Sequence, residues 1–290
     1  MFMRIVAVIF PIFAIIGLGY LYGRFKKPEM KFANQLNMDV FVPALVLSSL
    51  AGKSIQLSTY SMLALGALAV VLGSGLLAYP IARWLNQSPR TFIPPIMFNN
   101  SGNMGIPLAL LAFGEAAVPA AVVMFMVENT MHYSLGTWAL SRKSNPLHVL
   151  KQPVVIASII GLTISMMEWS IWPPLNFAIK LTGDVSIPLL LFSLGVRLTQ
   201  SAFGDFKMGV IAGVVCPLTG LLIAWPMAMM LPLSPEHQAM LIVFGALPPA
   251  VLNFVFAEKY NVEPSKVASM VMIGNLMSLV FVSLALYWVL

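Results

Sequence analysis

Charged side chains are scarce in this sequence. Only 9% of its 290 residues are Asp, Glu, Lys or Arg, whereas 59% are hydrophobic and the mean hydropathy is +0.90. A soluble domain carries about 25% charged residues, because its surface faces water. A surface that faces lipid needs none, so the composition excludes an ordinary soluble domain and predicts an integral membrane protein.

Cysteine is nearly absent, and metal-ligand clusters and catalytic pairs are missing. The single cysteine, Cys216, lies inside an apolar run, which leaves no disulfide or thiolate site to infer. His132, His148 and His237 are too scattered to be ligands of one metal, and no phosphate-binding loop or nucleophile–base pair is evident. The sequence therefore predicts no metal, no resident cofactor and no enzymatic activity.

Ten apolar runs can be traced along the chain. A hydrocarbon core about 30 Å thick is crossed by roughly 20 helical residues. The gaps are short, and the longest polar stretch is Ser141–Gln152, so we expect ten transmembrane helices with no soluble domain between them. The runs lie near residues 3–24, 32–52, 59–84, 91–113, 117–140, 152–169, 174–199, 207–231, 237–257 and 265–289.

The basic residues predict the orientation of these helices. The net charge is +6, but Lys and Arg sit in the gaps between runs rather than on one amphipathic face, so we expect no nucleic-acid partner. Of the 16 basic residues, only Arg4, Lys53 and Lys180 fall on one side of the predicted membrane. Because cytoplasmic loops are rich in Lys and Arg, the crowded side should be cytoplasmic and both termini should lie outside.

The two halves of the chain share short sequence patterns. Each pattern recurs after about half the chain, which predicts one repeat over residues 1–145 and a second over 146–290. Five helices is an odd number, so the second repeat must enter the membrane inverted, as in many secondary transporters. The matching pairs are Ile15–Leu18 with Ile159–Leu162, Asp39–Pro43 with Asp184–Pro188, and Met126–Met131 with Met272–Met277.

The fourth and ninth runs contain helix-breaking residues at corresponding places. Proline removes a backbone donor and glycine loosens a helix, and both are dense in residues 94–107 and 245–253. A helix broken in mid-membrane presents free N–H groups with a partial positive charge, which favours an anion such as a carboxylate. The predicted substrate-binding residues are Asn99, Asn100, Ser101, Gly102, Asn103, Met104, Pro248, Pro249 and Asn253. The alternative is that the asparagines only cap the broken helix ends.

A carboxylate in the fifth run is a second candidate site. Glu128 lies one helical turn from His132, and a charged group inside a membrane is costly enough to be a functional candidate. The pair could relay protons, or the carboxylate could help to hold Na⁺. We take Glu128, Asn129, His132 and Asn275 as coupling candidates; the alternative is a neutral, hydrogen-bonded glutamic acid between helices.

The chain resembles the auxin efflux carrier family, which includes plant PIN-type exporters and bacterial organic-acid permeases and has a fold related to that of bile acid:sodium symporters. The likeness is strongest in Gly245–Val262, followed by Asn100–Pro107 and Leu36–Pro43, and runs over nearly the whole chain. The resemblance implies ten helices, with the fourth and ninth crossed and broken at the substrate site. Asn100 matches the asparagine, and Pro248 the proline, at this crossover.

The same resemblance implies a homodimer in the plasma membrane of a bacterium and an elevator-type movement. Helices one, two, six and seven would form the scaffold, and helices three to five and eight to ten the transport domain. The long cytoplasmic loop of plant members is absent, and Asn99 and Asn103 make the site more polar than theirs. This favours a smaller, more polar carboxylate than indole-3-acetate.

Three functions are compatible with these patterns. The first is a carrier for carboxylates such as malate, malonate or auxin-like acids, indicated by the paired broken helices. The second is a sodium- or proton-coupled symporter of the bile-acid-carrier type, indicated by Glu128. The third is a membrane sensor that binds the anion without moving it, against which the lack of an attached signalling domain argues.

Overall fold

The fold is helical throughout the residues that the structure describes. A computed structural model describes residues 2–51, 57–141, 146–200 and 204–290. Within these ranges there is no β-strand, and the only strand-like pairing is a bridge between Asn99 and Pro249. Lys53, Arg142 and Lys143, which entered the orientation prediction, lie outside the described residues.

Fifteen α-helices follow one another along the described chain, several of them separated only by a turn of another helix type. The α-helices are α1 (Phe2–Lys26), α2 (Lys31–Leu36), α3 (Val42–Ala51), α4 (Leu57–Trp84), α5 (Pro89–Met97), α6 (Ile106–Phe113), α7 (Val118–Met131), α8 (Thr137–Leu140), α9 (Pro153–Met166), α10 (Pro173–Asp184), α11 (Ser186–Gln200), α12 (Phe206–Met230), α13 (Pro235–Gly245), α14 (Leu252–Lys259) and α15 (Pro264–Val289). Wider π-helical turns occupy Asn37–Phe41, Ser101–Gly105 and His132–Gly136, and 3₁₀ turns occupy Glu115–Ala117 and Pro146–Lys151.

Within the described ranges, five helical segments are long and apolar enough to cross a membrane. They are Met3–Lys26, Tyr60–Trp84, Pro173–Thr199, Phe206–Met230 and Pro264–Val289. Their outward faces carry large apolar side chains such as Phe10, Leu76 and Phe177, which a lipid environment accepts and water does not. The prediction of an all-helical integral membrane protein is thereby confirmed.

The remaining apolar runs consist of shorter helices. The second and fifth runs are continued across π-helical turns, whereas the fourth and ninth are interrupted, between α5 and the turn before α6 and between α13 and α14. A π turn or a break leaves backbone groups without helical partners, and at membrane depth such groups need cover from protein or water. The interruptions therefore have to lie inside the molecule, and they do: residues 94–101 are all buried.

The helices pack as two groups. In one group α1 packs on α11 and α3 packs on α9 and α10; in the other, α12 packs on α4, α13 and α15, while α4 packs on α5 and α7. The pairing of α1 with α11 and of α9 with α3 links the two sequence halves in a reciprocal way.

Close contact between α1 and α11 depends on glycine. A Cβ atom on Gly19 would lie 2.1 Å from the backbone oxygen of Phe192, and one on Gly195 would lie 1.9 Å from that of Ile16. Without a hydrophobic force between helices in lipid, small residues that allow backbones to approach are a main source of packing energy. The two helices are held at a separation that only glycine permits.

Gly19→Ala should therefore destabilise the protein, whereas Gly17→Ala should not. The added methyl group of Gly19→Ala must push α1 away from α11, and overpacking of this kind costs roughly 1–3 kcal/mol. Gly17 lies on the same helix, and a Cβ atom added there would meet nothing within 4 Å, so it is the matched control. Thermal unfolding of the detergent-purified proteins measures the difference, and equal midpoints for the two variants would contradict the packing described.

Candidate substrate site

The two interrupted segments meet and pair through their backbones. The N–H group of Asn100 donates to the carbonyl oxygen of Pro248 at 2.7 Å, and the N–H group of Ala250 donates to that of Phe98 at 2.9 Å. These are the two bonds of a short antiparallel bridge. Because proline lacks an N–H group and cannot continue a helix, each break leaves carbonyl groups unpaired, and the other break supplies their donors. At the crossing, each broken segment therefore supplies the hydrogen-bond donor that the other segment lacks.

Two asparagine side chains reinforce the crossing. Asn99 donates its amide to the carbonyl oxygen of Phe244 at 2.7 Å, at the end of α13, and Asn253 donates to that of Phe98 at 3.0 Å. Both side chains are almost fully buried. Each amide donor therefore ties one broken run to the other.

Asn100 is held by a residue on the last helix. Its amide donates to the side-chain oxygen of Asn275 at 2.7 Å, and the amide of Asn275 donates in turn to the carbonyl oxygens of Pro249 at 2.9 Å and Val271 at 2.8 Å. The structure therefore brings Asn275 to the crossing, although the sequence grouped it with the coupling candidates. Its amide closes a chain of hydrogen bonds from α15 through one break to the other.

Backbone N–H groups without acceptors remain in the turn that follows the first break. In the π-helical turn before α6, the N–H groups of Met104 and Gly105 both donate to the carbonyl oxygen of Asn100 at 3.1 Å. Among the described residues, the N–H groups of Ser101, Gly102 and Asn103 have no protein acceptor. These three donors at a helix start are suited to an anion.

A cavity of about 980 Å³ reaches the crossing. Asn99, Asn100, Gly102 and Asn103 line it on one side, and residues 250–252 line it on the other. Its volume is that of a small-molecule site. The amide of Asn103 faces this space and has no hydrogen-bond partner among the described residues, so it is available to a bound molecule.

The other predicted substrate residues do not form the cavity wall. Ser101 and Met104 are buried behind it, Asn253 is 2% exposed, and Pro248 and Pro249 contribute backbone oxygens to the crossing. These residues shape the site rather than face it.

Glu128 and His132 form a buried pair beside the crossing. The carboxylate accepts a hydrogen bond from the Ser101 hydroxyl at 3.1 Å, and its second oxygen lies 3.1 Å from Nδ1 of His132. The imidazole stacks on the ring of Phe98, with 4.1 Å between centroids and planes within 8°. Both residues line the cavity, together with Asn129. The structure thus brings three of the four coupling candidates together.

Arg197 is a cavity residue that the sequence patterns assigned only to topology. It lies in the last turns of α11, and its guanidinium carbon is 6.0 Å from the ring centroid of Phe254 on α14. Glu258, which also lines the cavity, is near enough for the two charges to interact. Its position just inside the end of an apolar run was the available signal, because ionisable groups within membrane-spanning segments are functional candidates.

The sequence that forms this site is similar to sequences of known proteins. A family profile described as "Membrane transport protein" matches residues 4–149 and 137–287. The chain is similar to a protein of Rhizobium meliloti (strain 1021) named "Putative malonate transporter", with 24% identity over 98% of this chain and 95% of that protein. It is also similar to an uncharacterized transporter of Methanocaldococcus jannaschii, with 23% identity over 96% of each chain. It matches "Auxin efflux carrier component 6" of Arabidopsis thaliana with 26% identity over 58% of this chain and 28% of that protein.

Asn275→Ala should destabilise the fold, whereas Asn103→Ala should leave its stability unchanged. The first substitution strips Asn100 and the carbonyl oxygen of Pro249 of their partners, and each buried polar group left unsatisfied costs about 1–3 kcal/mol. The second removes a cavity-lining amide that has no hydrogen-bond partner among the described residues. Thermal unfolding of the two variants in detergent without added ligand is the measurement. A larger loss of stability in Asn103→Ala than in Asn275→Ala would contradict the network described.

Proposed function

This chain belongs to the membrane transport protein family, and we propose on that premise that it carries small organic carboxylates across a bilayer by alternating access. The family match bears out the resemblance to auxin efflux carriers, and the relatives compared above are transporters by name, which fits a protein without enzymatic activity. The observation that carries the proposal is the pairing of two broken helices at the inner end of a cavity.

The donors at this site favour an anion with planar oxygen atoms. The free N–H groups of Gly102 and Asn103, which line the cavity, and the side-chain amide of Asn103 can donate to a carboxylate without a buried full charge on the protein. Arg197 adds a cation farther along the same cavity. The name of the Rhizobium relative supports malonate, and the asparagine amides at the crossing also suit malate; auxin-like acids are the larger alternative.

The two helix groups suit an elevator movement. The cavity lies between α2, α3 and α11 on one side and the crossing with α7 and α14 on the other. We propose that helices of runs one, two, six and seven form the scaffold and those of runs three to five and eight to ten form the moving domain. Ten spans in two inverted repeats, and a homodimer joined through the scaffold, complete this proposal.

The direction in which the cavity opens follows from the same arrangement. Its outer wall includes the turn Glu29–Lys31, Arg197 and Ser265, all at the end of the molecule where basic residues are crowded. If that side is cytoplasmic, as the distribution of basic residues predicts, the structure is an inward-open state. The plasma membrane of a bacterium is then the proposed location, with both termini outside.

Transport of a labelled carboxylate into liposomes tests the proposed function. We expect saturable uptake of malonate or malate by the wild-type protein, and weaker binding in Asn103→Ala and in Arg197→Gln. Loss of a charge-assisted hydrogen bond costs about 1.5–3 kcal/mol, so Arg197→Gln should raise the Kd at least tenfold. Arg83→Gln is the matched control, because Arg83 is exposed at the end of α4, away from the cavity. If malonate, malate and indole-3-acetate are neither transported nor thermally stabilising, the proposal fails.

The orientation is tested by C-terminal fusions in bacteria. An outside terminus predicts an active alkaline phosphatase fusion, because that enzyme folds in the oxidising periplasm, and a dark green fluorescent protein fusion. The reverse pattern would place the termini inside and make the cavity outward-open.

A further inference from the structure

The Glu128–His132 pair is a titratable group at the centre of a membrane protein. Glu128 is 3% exposed and His132 1% exposed, and the two side chains approach to 3.1 Å. An ionised glutamate beside a neutral histidine leaves the pair with one negative charge, whereas one additional proton makes the pair neutral overall. A net charge in a buried site is costly, so binding of this proton removes an unfavourable charge from the interior.

The fold does not require a carboxylate or an imidazole at these positions. The repeat that matches Met126 with Met272 makes Gly274 the equivalent of Glu128 and Ser278 the equivalent of His132. A Cβ atom on Gly274 would lie 2.7 Å from Cδ of Pro249, so the second half packs this position against its break. The first half instead places an ionisable group against its own break. Since the second half packs around its break without an ionisable group at these positions, the Glu128–His132 pair is not needed for that packing.

The pair is connected directly to the proposed substrate site. Glu128 accepts a hydrogen bond from Ser101, the first residue of the turn that presents the free N–H groups. His132 stacks on Phe98, whose carbonyl oxygen accepts the N–H bond from Ala250 across the crossing. Both residues share the cavity wall with Asn100 and Asn103. A negative charge on the pair therefore opposes an anion in a site of low dielectric, and a proton on the pair removes that opposition.

Other charged groups surround the pair. Tyr133 follows His132 in the chain and interacts electrostatically with two carboxylates. They are Glu128 and Asp39, and Asp39 lies in the π-helical turn after α2. Glu29, Lys31, Arg197 and Glu258 line the outer part of the cavity. Of these acidic residues, Glu128 and Asp39 interact electrostatically with Tyr133. Of these two, Glu128 is the one that accepts a hydrogen bond from Ser101, at the start of the turn after the first break.

We propose that the Glu128–His132 pair binds one proton together with each substrate anion, so that the protein is a proton–carboxylate symporter. This inference rests on the proposed function, because it concerns the same cavity. The proton is taken up from the side to which the cavity opens and is released when the anion leaves. Transfer of the anion then carries one negative charge fewer across the bilayer.

The affinity for a carboxylate as a function of pH tests this coupling. The probe is malate or indole-3-acetate, whichever binds in the transport screen, because both stay ionised above roughly pH 6.5, so that a series from about pH 6.5 to 8.5 leaves the charge of the probe unchanged. Linkage to one proton predicts a constant Kd at the acid end and a Kd that rises about tenfold per pH unit once the free pair loses its proton. Isothermal titration in detergent at fixed ionic strength measures it.

Variants locate the proton. Glu128→Gln cannot ionise, so its Kd should be the same at both ends of the pH range. Glu115→Gln is the matched control: it removes an exposed carboxylate that pairs with Lys180 at 3.3 Å, and it should keep the full pH dependence. Loss of the pH dependence in Glu258→Gln instead of Glu128→Gln would place the proton elsewhere and overturn the assignment.

A measurement on the wild-type protein does not depend on any variant folding. Addition of the anion to protein in a weakly buffered solution near the alkaline end of the range should raise the pH, by uptake of up to one proton per bound anion. Binding with no proton uptake and a Kd independent of pH would overturn the inference while leaving the proposed function intact. A Kd that depends on Na⁺, with K⁺ as the comparison, but not on pH would also overturn it. Absence of any binding would instead count against the proposed function.

Discussion

Backbone hydrogen bonding in an apolar medium is the constraint on which this structure depends. A transmembrane helix satisfies its own N–H and C=O groups, and an interrupted one cannot. Here two interruptions are placed against each other, so that Asn100 donates to Pro248 and Ala250 donates to Phe98. The prolines that break the runs also supply carbonyl oxygens to the pairing. Each broken helix is stable at that depth because the other is present.

The polar side chains around the crossing also pair backbone groups that the broken helices leave without partners. Asn99, Asn253 and Asn275 donate to backbone oxygens, which neutral amides can do without the cost of burying a charge. In the turn that follows the first break, by contrast, the backbone groups left unpaired are the N–H donors of Ser101, Gly102 and Asn103. Free N–H donors at a helix start suit an anion, which is the ligand sign that the proposed function requires.

The charged residues are distributed around this neutral centre. Arg197 and the Glu128–His132 pair both line the cavity, and the pair lies beside the crossing. In the proposals above, Arg197 attracts the anion and the charge of the pair governs whether the anion binds. Glycine contacts such as Gly19 with Phe192 fix one group of helices, whereas the cavity separates that group from the helices that carry the crossing. Two groups of helices on opposite sides of one cavity are what the proposed elevator movement would require.

Much of the fold was predictable from the sequence, because lipid imposes a simple rule on composition. The apolar runs predicted membrane helices, and the prolines and glycines of residues 94–107 and 245–253 predicted where helices would be interrupted, since both effects are local. The spacing of Glu128 and His132 by one helical turn likewise predicted their contact. The sequence by itself also indicated the family, which the match to the family profile then established.

What only the tertiary structure decided is which distant groups meet. Asn275 bonds to Asn100 across 175 positions of the chain, Ser101 bonds to Glu128 rather than facing the cavity, and Arg197 turns into the cavity instead of only marking topology. Such contacts follow from how helices cross and how closely glycines let them approach, and neither quantity is encoded in local periodicity. Amides and hydroxyls bond to whichever partner the packing provides, so their roles could be assigned only once the helices were in place.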